Sequence, residues 1–136
     1  MEQDMLIKLL RGSGMVDNES AREIASHFTY HTYEKGDLIL KAGQVNDTYL
    51  SLETGAMRAF ACNTEGDEVT TNFFTPGRMV FEVSSFFNRT PSDENIQALT
   101  RCTGWGLTFS ELNNLFHALP AFRDFGRHML VRNFSM

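Results

Sequence analysis

The densest run of groups able to do chemistry lies between Pro76 and Asp93. It holds the carboxylates Glu82 and Asp93, the hydroxyls Ser84, Ser85 and Ser92, and the guanidinium groups Arg78 and Arg89. Serine beside carboxylate invites a hydrolase. A serine becomes a nucleophile only when a base, itself held by an orienting group, removes its proton, and this stretch contains no histidine. No catalytic residue is assigned, and the chain is read as a non-enzyme.

The other reactive groups are scattered. His27 and His31 are four apart, which on a helix would put two imidazoles on one face. Thr29-Tyr30-His31-Thr32-Tyr33 has the pattern of a strand, where that geometry fails, and His117 and His128 lie far along the chain. No metal site is assigned. Cys62 and Cys102 lack the spacing of a zinc site or disulfide framework and are read as small buried hydrophobes. Gly104-Trp105-Gly106 lacks the lysine and strand-to-helix setting of a phosphate loop. It is read as a turn or bulge with Trp105 packed on the strands. The pairs Phe73-Phe74 and Phe86-Phe87 are read as core, with an aromatic-lined pocket between them as the alternative.

A chain of 136 residues has room for one core, and 42% apolar content with 12 phenylalanines fills it. A net charge of −5 argues against gripping a phosphate backbone, which needs clustered Lys and Arg. No apolar run approaches the ~18 residues of a membrane span, and Met1-Glu2-Gln3-Asp4 does not open a secretory signal. No membrane association and a cytoplasmic location are the default expectations.

Three regions must position the reactive run. Residues 1–28 read as helical: Leu6, Leu9 and Leu10 share a face, Gly12 and Gly14 interrupt, and Asp17-Asn18-Glu19-Ser20 resembles a cap opening a helix through Ile24. Residues 29–109 turn to short alternating β-type runs, at 37–40, 48–52, 57–61 and 68–74. Gly36, Gly43, Gly55, Gly66 and Gly77 separate them at intervals of 7, 12, 11 and 11. Glycine takes the positive φ of tight turns, so this register predicts a compact all-β sandwich or barrel. Residues 110–136 return to helix, with Ser110 as N-cap, Glu111 in the first turn and Pro120 opening a second helix.

Tyr33-Glu34-Lys35-Gly36-Asp37-Leu38-Ile39, Ala42-Gly43-Gln44, Tyr49-Leu50-Ser51-Leu52-Glu53-Thr54-Gly55 and the turn Glu65-Gly66-Asp67-Glu68 together resemble a cyclic-nucleotide-binding domain of Crp/Fnr-type regulators. The resemblance covers nearly the whole chain. It implies a mainly β fold with flanking helices, an eight-stranded double-stranded β-helix or jelly-roll-like β-roll. It also implies a small effector, a cyclic nucleotide or another small molecule, with no certain cofactor. The family's phosphate-binding cassette, Pro-Gly-Glu-x-x-Gly-Glu-Leu followed about ten residues later by Arg-Ser or Arg-Thr, matches Pro76 to Phe86 and continues without gaps to Ile96-Gln97-Ala98-Leu99.

Carried over residue by residue, Glu82 falls on the glutamate that accepts a hydrogen bond from the ribose, with Val83 and Ser84 beside it. Three positions depart from the family. Its second glycine is Phe81, whose side chain would fill space left for a ligand. Its phosphate-clamping arginine is Ser92, and the hydroxyl neighbour is Asp93. Losing the guanidinium removes a charge-assisted contact, and the Asp93 carboxylate beside it would repel an anion. Arg89 or Arg78 could substitute as the cation; as surface arginines they would do nothing of the kind. Pro91-Ser92 followed by Ile96-Gln97-Ala98-Leu99 is similar to a Crp/Fnr subgroup common in Bacteroidetes, in which the clamping arginine is generally missing. Cyclic AMP is therefore not expected to bind well.

In the family, base contacts and the dimer seam lie on the long C-terminal helix, which here puts Asn133 among the candidate ligand residues. Phe122, Phe125, Met129 and Phe134 form its apolar stripe. The stripe either packs on its own roll or carries a homodimer seam, and terminal aromatics favour a shared role. A helix-turn-helix would need roughly sixty further residues; DNA is expected as a partner only through such a domain, absent from this chain. Two functions follow. One is an effector-sensing domain in which Val83 to Phe87 move and the C-terminal helix signals. The other is a ligand-free roll, plugged by Phe81, serving as a dimerisation or protein-interaction module.

Overall fold

The computed structural model describes residues 3–12 and 17–118. Asn133, Gly14, Pro120, His128 and the stripe Phe122, Phe125, Met129 and Phe134 lie outside them.

The chain opens with two helices, α1 (Asp4–Gly12) and α2 (Asn18–Ala25). Asp17 caps α2 by accepting a hydrogen bond from the Ser20 amide at 2.7 Å, and that bond holds its carboxyl below the usual range. Strands β1 (Thr29–Tyr33), β2 (Leu38–Leu40), β3 (Thr48–Thr54), β4 (Met57–Cys62), β5 (Glu68–Phe74) and β6 (Met79–Val80) follow. A short helix α3 (Val83–Asn88) separates these from β7 (Asn95–Ala98) and β8 (Cys102–Thr108), and α4 (Phe109–Ala118) comes next. The strands form two antiparallel four-stranded sheets, ordered β1-β8-β3-β6 and β2-β7-β4-β5. The eight-stranded roll expected from the resemblance is present, mainly β with flanking helices.

Alternation along the strands builds two cores. Leu50 and Leu52 of β3 point between the sheets and meet Met57, Phe74, Val80, Ile96 and Cys102. Their neighbour Tyr49 points the other way, into a layer made with Leu6 and Leu10 of α1, Ile24 of α2, and Leu112 and Leu115 of α4. The first sheet thus has a roll core on one face and a helical core on the other. α3 belongs to the second, through Phe86.

All five glycines of the register have φ between 87° and 94°. At Gly55 the demand is double: a Cβ there would also lie 2.4 Å from the Arg101 carbonyl oxygen.

Four local expectations change. The N-cap of α4 is Thr108, not Ser110: Thr108 Oγ1 accepts from the Glu111 amide at 3.2 Å while Glu111 Oε1 accepts from the Thr108 amide at 2.9 Å. This reciprocal capping box satisfies two otherwise orphaned donors and starts the helix at Phe109. Gly104-Trp105-Gly106 lies within β8, and the irregularity falls on its partner β3, between Leu52 and Thr54. Gly104 is needed there because a Cβ would stand 2.5 Å from the Ser51 carbonyl oxygen. Cys62 is exposed at the end of β4, whereas Cys102 is buried. Phe73 is 58% exposed although Phe74 is core, because successive residues of a strand face opposite ways.

Candidate functional site

The run of reactive groups occupies the corner made by β6, α3 and the approach to β7. α3 is six residues long, too short to hold its own geometry in water without external bonds. Glu82 supplies the first of these. Its backbone is extended, and its carboxylate accepts from the amides of Ser85 at 2.7 Å and Ser84 at 3.3 Å. Both oxygens of the candidate ligand acceptor are thus engaged in capping the helix that follows it.

Asn46, from the loop between β2 and β3, supplies the rest. It is 3% exposed and touches α3 at its beginning, middle and end. Its Oδ1 accepts from the Glu82 amide at 2.7 Å, its own amide donates to Ser85 Oγ at 2.8 Å, and its carbonyl oxygen accepts from Arg89 Nη1 at 3.0 Å. Ser85 Oγ passes its proton side on to the Thr90 carbonyl oxygen at 2.6 Å. The buried side-chain polar atoms in this chain of contacts all have partners, the condition under which a buried polar network rigidifies rather than weakens.

Ser92 is also buried, but its hydroxyl is used locally. It donates to the Glu94 carbonyl oxygen at 2.8 Å and accepts from the Glu94 amide at 3.0 Å. Its backbone pairs with the Gly43–Gln44 turn, Ser92 N to Gln44 O and Gly43 N to Ser92 O, both at 2.8 Å. Asp93 is exposed beside it. Glu94 turns towards β5, where its carboxylate accepts from Thr71 Oγ1. The corner is therefore rich in carboxylates.

Neither candidate cation reaches these groups. Arg89 pairs with Asp47 at 2.8 Å and donates to the carbonyl oxygens of Asn46 and Phe86. Arg78 points to the Phe73 carbonyl oxygen. An arrangement of acceptors without a free guanidinium suits a ligand that donates hydrogen bonds and disfavours an anion.

Phe81 corrects the plug inferred from sequence. Its ring is 7% exposed and lies 4.9 Å from the Tyr49 ring, 5.7 Å from Phe86 and 5.9 Å from Phe87, all edge-on. These are members or neighbours of the helical core, not of the group that fills the roll. Phe81 follows inward-facing Val80, so alternation sends it to the opposite face. The same burial pushes the Tyr49 phenol far above its usual range.

The structure thus brings Phe81, Glu82, Val83 and Ser84 together at the head of α3 and places Ser92 and Asp93 on the neighbouring loop. Val83 is half-buried and Ser84 exposed. Asn46 and Asp47 were not among the residues expected from sequence. Their contacts with α3 span 36 to 43 residues, and an Asn-Asp pair after a turn glycine carries no local sign of them. Among the described residues no group of three or more His, Cys, Asp and Glu is placed to hold a metal ion, and no helix is long and apolar enough to cross a membrane.

The family model described as the cyclic nucleotide-binding domain matches residues 30–118. No curated protein matches the chain. Among solved structures, a cyclic nucleotide-binding domain from Methylobacillus flagellatus superposes with a TM-score of 0.85 at 15% identity, over 98% of this chain and 76% of that one. The N-terminal domain of a transcriptional regulator from Streptomyces coelicolor gives 0.81 at 19% identity, over 97% and 92%. The Thermus thermophilus catabolite activator protein gives 0.77 at 19% identity over 88% of this chain, which spans 56% of that protein's length. At such identities the likeness is one of fold.

Proposed function

The chain belongs to the cyclic nucleotide-binding domain family, and on that premise we propose that it is the effector-sensing domain of a Crp/Fnr-like transcriptional regulator whose effector is not cyclic AMP. A small ligand, a hydroxyl donor rather than an anion, binds in the roll against Glu82, Val83, Ser84, Ser92 and Asp93. Its binding shifts α3, and the shift passes through α4 to the C-terminal helix, where Asn133 would join the ligand and a homodimer would form. DNA is engaged only through a helix-turn-helix outside this chain, in the cytoplasm.

The observation that carries the ligand class is Ser92. Where the family's resemblance calls for a guanidinium, a hydroxyl is closed into two bonds with the Glu94 backbone, and Arg89 nearby is committed to Asp47. A charge-assisted, bidentate phosphate contact has nothing to form with. The test is titration calorimetry with cyclic AMP and cyclic GMP, from which no micromolar binding is expected. A micromolar Kd for cyclic AMP would overturn the reading.

One observation favours a second reading, a ligand-free roll serving as a dimerisation or protein-interaction module: both Glu82 oxygens already have donors within the chain. A thermal-shift screen with nucleosides, nucleotides and small polyols separates the two. A saturable rise in midpoint supports the sensor, and a flat screen supports the scaffold.

A further inference from the structure

Arg89 is the only described non-glycine residue with positive φ, at φ 57° and ψ 41°. A side chain with a Cβ is uncommon in that region, and such a residue persists where its surroundings over-determine it. Here the surroundings are three separate parts of the fold. Nη1 donates to the Phe86 carbonyl oxygen, at the end of α3, and to the Asn46 carbonyl oxygen, both at 3.0 Å. Nη2 pairs with Asp47 at 2.8 Å. The guanidinium carbon Cζ also lies over the ring of Phe109, the first residue of α4, 4.1 Å from its centroid.

We infer that Arg89, backed by Asn46, is the positioning residue that makes α3 and the start of α4 move as one piece. A planar guanidinium can donate in its plane while stacking through its face, and a lysine ammonium cannot do both. The in-plane donors fix α3 to the 46–47 loop. The contact of the guanidinium with Phe109 adds to the bond that the Phe109 amide donates to the Asp47 carbonyl oxygen at 3.0 Å, and Phe86 also meets the Phe109 ring edge-on at 5.5 Å. A displacement begun at Glu82, the far end of α3, therefore reaches Phe109 without an intervening flexible segment. The inference rests on the sensor reading for its purpose, but its geometry does not depend on that reading.

The test is hydrogen exchange by mass spectrometry on that unliganded chain. Rates for residues 83–88 and 109–118 are expressed relative to β3 and β8 amides, so that a uniform loss of stability cancels. Arg89→Ala keeps a Cβ and the strained backbone while removing the contacts. It is expected to speed relative exchange in both segments by roughly tenfold, the ratio expected when hydrogen bonds to a charged group are lost. Arg89→Lys keeps the charge near Asp47 and folds with the least disturbance; it is expected to restore α3 in part and to leave α4 fast. The inference fails if α4 stays at its wild-type rate in Arg89→Ala, or if Arg89→Lys behaves as wild type in both segments. Because no ligand is present, either failure leaves the effector proposal to be judged by calorimetry alone.

Discussion

Replacing Glu82 by alanine removes the cap of α3, and the cost can be worked from its two bonds. The contact with the Ser85 amide, 2.7 Å and partly buried, is short and charge-assisted; that with the exposed Ser84 amide, at 3.3 Å, is weak. An N-cap loss costs about 0.5–2 kcal/mol and a hydrogen bond to a charged group about 1.5–3. With one good bond and one poor one, about 1.5 kcal/mol is expected. For an m-value of about 2 kcal/mol/M this moves the urea midpoint down by roughly 0.7 M. The single tryptophan, Trp105, sits on β8 rather than on α3 and reports global unfolding by fluorescence. Glu82→Gln keeps a neutral acceptor and should lose about half as much. Equal midpoints for wild type and Glu82→Ala would refute the cap and return Glu82 to service as a free ligand acceptor. If the cap is confirmed, a ligand that recruits this carboxylate must first release it, which weakens binding roughly tenfold for each 1.4 kcal/mol of cap.

Three further outcomes are expected. Phe81→Ala should destabilise by about 3–5 kcal/mol, seen in the same urea titration, and should bring no binding of cyclic AMP by calorimetry; a gain in binding would restore the plug. Ser92→Arg combined with Asp93→Ser replaces a repelling carboxylate by a clamp and should produce measurable cyclic AMP binding, and a null titration would locate the obstacle at the Glu82 cap instead. Burial raises the Tyr49 phenol above its unfolded value, so the folded state keeps a proton that the unfolded state gives up. Stability is then intact below about pH 10 and falls above it by about 1.4 kcal/mol per pH unit per such tyrosine. Tyr33, also raised by burial, contributes in the same direction, and Tyr49→Phe should flatten the alkaline slope without abolishing it.

What the sequence disclosed was what short-range rules determine. The glycine register located five turns because each needs positive φ, a demand of the local backbone. The Asp17 cap was legible for the same reason, and the Thr108–Glu111 capping box was open to the same reading but was displaced by the nearby Ser110. Facing directions were harder. Phe81 and Phe73 are both aromatic and both adjacent to core residues, and only the strand phase separates a residue in the helical core from one exposed to solvent. The hold on α3 was not legible at all. It depends on Asn46 and Asp47 meeting residues some forty positions away, a consequence of how the two sheets close rather than of any spacing along the chain.

That hold has an evolutionary consequence. α3 is ordered by Glu82, Asn46 and Arg89 from within the chain, so its folding does not depend on a bound guest. Ser92 and Asp93 contribute little to those bonds: Ser92 satisfies itself against Glu94, and Asp93 is exposed. Under the sensor reading proposed above, substitutions on the 91–93 loop would change what the roll recognises while α3 stays folded. On that reading, ligand preference would drift among descendants of such a domain faster than its architecture.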